Sequence, residues 1–231
     1  MAYTRVLFDL DGTLTESGPG VTGAVQYALQ KLGIEEPDRS KLEVFIGPPL
    51  NISFQEFYHL TAEETQLAVH YFREVYDSKM IFENQLYPGV RELLGQLHTD
   101  GVQLAIASSK PDAMVHKVLN YFDIEADFDV IVGSADDEEE DGKAGKDNKQ
   151  RMVEKALAQL RELNADSSDE TAFCEGTAMV GDRCFDIKGA KANHVAAIGV
   201  SYGYGSREEL AESGADAIAA DTRELYEILR R

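Results

Sequence analysis

The chain has 231 residues, 43% of them hydrophobic, which fits one large globular domain or a core with a modest insertion. Its formal net charge of −20 argues against nucleic acid and anionic membrane surfaces as partners, because their phosphate groups would be repelled. A small phosphorylated metabolite, by contrast, would need only local positive charge from a metal ion or a few lysines.

Cysteine usage and hydropathy indicate the compartment. Cys174 and Cys184 are the only cysteines and do not have a C-x-x-C spacing, so we expect reduced thiols and a cytoplasmic protein. No apolar run approaches the roughly 18 residues of a membrane span, and the first strand comes too early for a signal peptide. We expect a monomer or a weak homo-oligomer.

Residues 6–13 read Val-Leu-Phe-Asp-Leu-Asp-Gly-Thr, an apolar run that ends in two acids. Such a run is typical of a parallel strand buried on both faces. In open α/β sheets, ligands bind outside the carboxyl ends of the strands, so Asp9 and Asp11 lie where a site is expected. Gly12 permits a sharp turn directly after them.

Two carboxylates this close repel each other unless a cation or a shared proton relieves them. Their oxygens suit Mg²⁺, and one ionised aspartate can attack an electrophile while the other moves a proton. A surface turn rich in Asp and Gly is the plain alternative. A calcium loop is excluded, because its sixth and twelfth positions need Gly and Glu where the chain has Leu14 and Gly20.

The next candidate core strand is residues 102–107, much further along the chain than the ~30 residues of one βαβ unit. A segment is therefore inserted. Its apolar residues recur at helical spacing, and Thr61 with Glu64 has the spacing of a capping box. We predict a helical domain over residues 16–87.

Residues 45–50, Phe-Ile-Gly-Pro-Pro-Leu, interrupt the helical pattern because the two prolines cannot continue a helix. They predict a rigid loop. Arg39 and Lys41 nearby could bind an anion, although such residues are more often solvated charges at helix ends.

The α/β core is predicted to comprise residues 1–15 and 88–231. The strand at 102–107 is followed by Ser108 and Ser109, and a hydroxyl at a strand end can bond a phosphate oxygen, which alone is a weak signal. Ser206 and Glu209 have the spacing of a second capping box. The remaining predicted elements are helices at 90–97, 151–163 and 221–231, strands at 128–132, just before 181 and at 194–200, and polar loops at 136–145 and 164–176.

Residues 179–190 deliver a second pair of acids, Asp182 and Asp186, to a strand end. The two lie about one helical turn apart. One can therefore meet a metal directly, while the other holds a metal-bound water or orients a lysine. Two acid pairs at two strand ends favour a metal site over ordinary charge at a helix end.

The run Asp9-Leu-Asp11-Gly-Thr, the serine at position 108 and the pattern Gly-Asp-x-x-x-Asp beginning at residue 181 together resemble the motifs of the haloacid dehalogenase (HAD) superfamily. The resemblance covers nearly the whole chain. It is closest to the phosphoglycolate-phosphatase-like branch and, within it, to members described as 5′-nucleotidases. It implies a doubly wound α/β core with a Rossmann-like parallel sheet, in the strand order five-four-one-two-three.

The same resemblance implies that the inserted helices form a mobile cap, hinged at residues 15–17 and 86–89, whose proline loop reads the leaving group. It also implies Mg²⁺-dependent hydrolysis of a small phosphate monoester through an aspartyl-phosphate. Asp9 would be the nucleophile, Asp11 the acid and base, and Asp182 the metal ligand that completes the site. Asp9 and Asp11 would also bind the metal, Asp11 through its carbonyl, with Asp186 in support.

The substrate-binding residues that the resemblance implies are Gly12, Ser108, Ser109 and Lys149. Lys149 is favoured over Lys146 because close relatives place an Ala-Leu pair seven and eight residues after the lysine, as at Ala156 and Leu157. The alternative is that Lys149 only neutralises the acidic loop while Lys146 reaches the site.

Other functions stay open. A phosphomutase of the same superfamily keeps both acids of the first motif, and a non-catalytic phospho-acceptor or binding module could use an aspartate pocket with Mg²⁺. Phosphoglycolate, nucleoside monophosphates, sugar phosphates and aryl phosphates all remain candidate substrates, because side chains of the cap select the leaving group.

Overall fold

The computed structural model describes residues 2–135, 148–164 and 170–231. The predicted acidic loop at 136–145 and Lys146 therefore lie outside the described residues. The strands of the described part are, in chain order, β1 (Arg5–Phe8), β2 (Thr15–Glu16), β3 (Gln85–Leu86), β4 (Gln103–Pro111), β5 (Val130–Ser134), β6 (Thr177–Gly181), β7 (Ala196–Val200) and β8 (Ala217–Ala219).

The helices of the same residues fall into an inserted group and a core group. The inserted group lies between β2 and β3, and the core group follows β3. The α-helices are α1 (Gly18–Lys31), α2 (Leu50–Tyr58), α3 (Ala62–Tyr76), α4 (Val90–Thr99), α5 (Asp112–Tyr121), α6 (Asn148–Leu163), α7 (Glu170–Glu175), α8 (Cys184–Ala192), α9 (Arg207–Glu212) and α10 (Thr222–Leu229). Across the described ranges, no helix combines the length and the apolar character needed to cross a bilayer.

Six strands form one parallel sheet in the order β5-β4-β1-β6-β7-β8. The predicted fold class is confirmed, because this is a doubly wound α/β sheet with helices on both faces. The order implied for the first five core strands is also found, and β8 extends it at one edge. β8 was not predicted, since three residues with a mixed burial pattern give little periodic signal.

Alternate residues of the central strand β1 serve two separate cores. Val6 and Phe8 belong to the cluster that contains α4, α5 and α10, whereas Leu7 belongs to the cluster with α6, α8 and α9. All three side chains have no solvent exposure. The continuous apolar run of β1 is thus explained by burial on both faces, as expected of an inner parallel strand.

The inserted helices leave and rejoin the core through two adjacent strands. Thr15 pairs with Leu86 and Glu16 with Gln85 in a two-stranded antiparallel sheet. Thr15, Glu16 and Leu86 lie in the predicted hinges and Gln85 directly precedes one of them, but hinge motion and the division into two domains remain predictions. The apolar side chains of α1, α2 and α3 belong to the same buried cluster as one face of the core sheet.

Several predicted boundaries were wrong because short apolar runs do not reveal pairing register. Pairing of Ala105 with Val130 sets the limits of β4 and β5, so β5 runs two residues later than predicted. β4 extends to Pro111 through a register irregularity after Ala107. β7 begins at Ala196, since His194 before it has a positive φ of 58° that no strand residue adopts.

The polar segment predicted as a loop at 164–176 contains α7. One aromatic residue anchors this helix: Phe173 is buried between the guanidinium groups of Arg5 and Arg161, whose central carbons lie 4.1 and 4.8 Å from the ring centroid. A single anchor in a polar stretch gives no helical periodicity, which is why the sequence pattern missed α7.

One predicted capping box is confirmed, and the other forms only one of its two hydrogen bonds. At α3, Thr61 and Glu64 exchange both hydrogen bonds. At α9, the Ser206 hydroxyl accepts from the Glu209 amide, but the Glu209 carboxylate accepts from Arg183 Nε at 3.1 Å and from the Cys184 amide instead. Arg183 and the Cys184 amide, which are close in space, thus take the place of the Ser206 amide as partners of the Glu209 carboxylate.

Candidate active site

The polar site lies at the carboxyl edge of the sheet, where three central strands end together. Asp9 follows β1, and Asp182 follows the neighbouring strand β6; the Asp9 amide donates to Val180 O at 2.9 Å. On the other side of β1, Ser108 lies in the irregular part of β4, in the wall of the same pocket as Asp9. The sheet register thus brings together residues that are far apart in sequence.

Three carboxylates converge at this edge. One oxygen from each of Asp9, Asp182 and Asp186 lies within 4.8 Å of the others, and none of the three residues is more than 3% exposed. The fit is close on the Asp182 side, since a side chain at Gly12 (φ +86°) would overlap the Asp182 carboxylate. Both the turn conformation and the contact therefore require glycine at position 12.

Hydrogen bonds fix two of the acids. Asp182 accepts from the Tyr204 amide at 2.8 Å and from the Thr13 hydroxyl at 3.4 Å. Asp186, in the first turn of α8, accepts from the Arg183 amide at 3.0 Å. The acid cluster is therefore held in place by the backbone around it.

Burial dominates the electrostatics of the cluster. It raises the pKa of the Asp9 carboxyl to about 6, although Lys149 opposes the rise. Burial, followed by the charges of Asp186 and Asp9, also holds the pKa of Asp182 well above its ordinary value. Three buried acids cannot all ionise cheaply in the absence of further positive charge.

Lys149 is a cation of the protein itself that lies against these acids. It lies in the first turn of α6, buried, with Nζ 2.6 Å from Asp9 Oδ1 and 3.0 Å from Asp186 Oδ1, and it donates to Ala107 O at 3.0 Å. Burial alone would lower the pKa of this lysine, but the two carboxylates more than offset it and the pKa is raised. The ammonium stays charged and fixed beside Asp9.

Asp11 does not join the acid cluster. Its carboxylate lies 2.7 Å from Lys110 Nζ, and the same ammonium donates to the Tyr76 hydroxyl at 2.6 Å. Burial raises the pKa of Tyr76 to about 12, so the phenol keeps its proton at neutral pH. The Asp11 carboxylate is therefore paired with Lys110 and is not part of the cluster of Asp9, Asp182 and Asp186.

Lys110 and Tyr76 were not predicted as site residues. Lys110 directly follows Ser108 and Ser109 at a strand end, so its position in the sequence could have indicated a site residue. Tyr76 is the last residue of α3 in the inserted segment, and nothing in the sequence relates it to residues 11 and 110. Such contacts depend on tertiary structure alone.

The other predicted substrate-binding residues have these positions. Ser109 lines the pocket, and its carbonyl accepts from the Ser134 hydroxyl at 3.0 Å. The Gly12 amide donates to Thr15 O at 2.8 Å within its own turn. Arg39 and Lys41, considered as anion ligands, instead contact Gln26 and Glu36 within the inserted segment.

The proline loop of the insertion lies over this mouth. Residues 45–50, with the exception of Pro49, line the same pocket as Asp9 and Asp11. Arg183 joins the loop to the core, because its guanidinium donates to Ile46 O at 2.7 Å while Nε donates to Glu209. The loop and the acids therefore enclose one space.

Comparison with known proteins agrees with the motifs. The model of the haloacid dehalogenase-like hydrolases matches residues 6–200, most of the chain. This chain belongs to that family. The match spans both acid pairs and the inserted helices.

Individual relatives of this HAD chain resemble it over nearly its whole length. A 5′-nucleotidase of Pseudomonas aeruginosa is 37% identical over 99% of this chain and 96% of its own. A protein of Mycobacterium tuberculosis named tyrosine-protein kinase PtkA is 33% identical over 97% of this chain and 72% of its own. The crystal structure of a predicted phosphatase from Clostridium acetobutylicum is 39% identical, covers 99% of both chains and has a TM-score of 0.86.

The donor set of the acid cluster fits a small divalent cation. All the available ligand atoms of Asp9, Asp182 and Asp186 are carboxylate oxygens, the kind that Mg²⁺ prefers. Burial, the main cause of the raised pKa values of Asp9 and Asp182, makes full ionisation of the cluster costly. Such a cation would relieve the repulsion that burial imposes.

The same electrostatics give a stability prediction. The pKa of Asp9 is raised from an ordinary 3.8 to about 6, so its neutral form favours folding and this contribution is lost as the pH rises through about 6. Burial likewise raises the pKa of Asp182. We predict that Mg²⁺ raises the melting temperature of the parent, and that Asp182→Asn, which removes one buried charge, raises the melting temperature of the metal-free protein at pH 7.5 and abolishes the Mg²⁺-dependent increase. Calorimetric melts with and without Mg²⁺ measure both effects.

The matched control is Glu227→Gln, which makes the same charge change on the exposed face of α10. It should leave the Mg²⁺-dependent increase intact. An Asp182→Asn protein that is stabilised by Mg²⁺ as much as the parent would contradict the assignment of this cluster as the cation site.

Proposed function

We propose that this chain is a Mg²⁺-dependent phosphatase that hydrolyses small phosphate monoesters, of the phosphoglycolate or nucleoside monophosphate kind, through an aspartyl-phosphate on Asp9. The observation that carries the proposal is the pairing of the Asp9 carboxylate with the buried ammonium of Lys149 at 2.6 Å, next to two further acids at the mouth of a pocket. A nucleophile, a fixed cation and oxygen ligands for a metal are thereby adjacent.

The first chemical step follows from these positions. One oxygen of Asp9 forms a bond to phosphorus as the ester P–O bond breaks, and protonated Asp11 gives its proton to the leaving oxygen. Lys149 and the Ser108 hydroxyl hold the phosphoryl oxygens, on which negative charge is concentrated. A bound Mg²⁺ would supply further positive charge for those oxygens.

The second step returns the enzyme to its starting state. Asp11, now ionised, removes a proton from water, and the water oxygen attacks phosphorus and displaces the Asp9 carboxylate. Inorganic phosphate and a protonated Asp11 result. Lys110 serves this step by fixing the orientation of the Asp11 carboxylate, to which it is bound at 2.7 Å.

A direct assay tests the proposal against transfer functions. Purified protein with a panel of phosphate esters and Mg²⁺ should release one inorganic phosphate for each alcohol formed, and a chelator should stop the reaction. A phosphomutase, or a phosphotransferase of the kind that the mycobacterial relative's name describes, would move phosphate to another acceptor. Alcohol formation without equal phosphate release would therefore contradict hydrolysis, and a non-catalytic module would form neither product.

The roles of the two acids in the first motif predict different losses. Asp11→Asn should lower turnover by about 10²–10⁴, the usual contribution of general acid and base catalysis, while Mg²⁺ still binds. Asp9→Asn should abolish turnover because an amide is a poor nucleophile. Steady-state kinetics and Mg²⁺ calorimetry measure these effects, and an Asp9→Asn protein with turnover within tenfold of the parent would refute the covalent route.

The lysine assignment predicts a second contrast. Lys149→Met should reduce turnover at saturating Mg²⁺ by at least about a hundredfold, because the fixed cation beside Asp9 is lost. Lys146→Met is the matched control, with the same substitution three residues earlier, and should stay close to the parent. Melting curves show whether each variant is folded, and a larger loss at Lys146 would reverse the assignment.

A further inference from the structure

The size and the lining residues of the pocket beyond the acids indicate which leaving groups fit there. The water-accessible cavity is about 80 Å³, and a bound water needs ~10–15 Å³ by the same kind of measure, so the cavity has room for several waters or a single small ring. Its apolar lining comes from both the insertion and the core. The main contributors are Phe45, Ile46, Leu50, Phe72 and Tyr76 from the insertion and Met114 from α5.

The aromatic part of this wall is rigid. Phe72 and Tyr76 lie one turn apart on α3 and stack with ring centroids 4.8 Å apart and an angle of 25° between the planes. Phe45 packs edge-on against the buried Phe54 at 4.8 Å. Rings that are held in this way line the cavity in fixed positions, and a fixed aromatic wall binds another aromatic ring at little cost in conformational entropy.

The charged part of the wall does not favour an anionic leaving group. Three acids line the cavity, Asp9, Asp11 and Asp77, against two cations, Lys110 and Arg73. Lys110 already binds Asp11 and Tyr76, and Arg73 is engaged as well. A leaving group that carries a carboxylate would therefore face acids, and no unpaired cation among the described lining residues.

We infer that this cavity selects phosphate monoesters whose leaving group carries a planar aromatic ring, and that it disfavours esters with a second anionic group such as phosphoglycolate. The inference rests on the proposed phosphatase function and narrows its substrate class. The ring could belong to a simple aryl-alkyl alcohol or to the base of a nucleoside, and the test separates these two sources.

The kinetic test compares esters with leaving alcohols of similar reactivity. With Mg²⁺, kcat/KM for benzyl phosphate should exceed that for 2-phosphoglycolate by at least about tenfold, since like-charge repulsion acts on the latter alone. Adenosine 5′-monophosphate forms the second arm. A rate above that of benzyl phosphate identifies a nucleoside base as the ring source, and a lower rate identifies the smaller ring.

Variants test whether the named wall causes the preference. Phe72→Leu should reduce the benzyl-to-glycolate ratio of kcat/KM roughly three- to tenfold, the effect of one lost aromatic contact. Phe173→Leu removes a similarly buried ring that belongs to the other hydrophobic cluster and does not line the cavity, so it should leave the ratio unchanged. Met114→Lys adds a cation and should shift the ratio toward phosphoglycolate.

A binding measurement separates the two levels of the proposal. By calorimetry with Mg²⁺, benzylphosphonate should bind at least about tenfold more tightly than phosphonoacetate, and neither compound can be hydrolysed. If phosphoglycolate is hydrolysed, and phosphonoacetate bound, as well as the aromatic compounds, the substrate inference is overturned while the phosphatase function stands. If no ester releases phosphate, the proposed function fails, and the phosphonate pair still decides whether the cavity prefers a ring.

Discussion

The structure depends on one electrostatic constraint: three carboxylates are buried within a few ångströms of one another at the centre of the sheet edge. Asp9, Asp182 and Asp186 cannot all be ionised there unless positive charge is held against them. Lys149 provides part of that charge from within the protein, at 2.6 Å from Asp9. The negative charge that Lys149 does not balance makes this cluster a candidate cation site. A cation bound there would lie beside Asp9.

This constraint explains local features of the fold. Glycine is required at position 12 because the chain must turn with a positive φ directly against the Asp182 carboxylate. The Asp11 carboxylate stays outside the acid cluster, and Lys110 binds it. The two acids of one short motif thus enter different surroundings: Asp9 lies beside two further acids and Lys149, whereas Asp11 is paired with Lys110 outside that cluster, which suits them for different roles.

The sequence predicted the site where the chemistry follows directly from a strand end. Asp9, Asp182 and Ser108 could be located because apolar runs stop at them, whereas Lys149 was singled out because its spacing to the Ala156-Leu157 pair resembles that of the family. Tyr76 and the bond from Arg183 to Ile46 could not be predicted, since each joins the inserted segment to the core across long sequence separations. β8 was missed because three residues give little periodic signal, and α7 because a single buried anchor, Phe173, gives no helical periodicity.

The most direct test of the account is to identify the residue that receives the phosphoryl group. Borohydride reduces an aspartyl-phosphate to homoserine, so protein quenched during turnover of an aryl phosphate with Mg²⁺ can be reduced, digested and sequenced by mass spectrometry. The account predicts homoserine at position 9 and an unmodified aspartate at position 11. Modification at Asp11 or at another acid, or turnover with none of the acids modified, would contradict it.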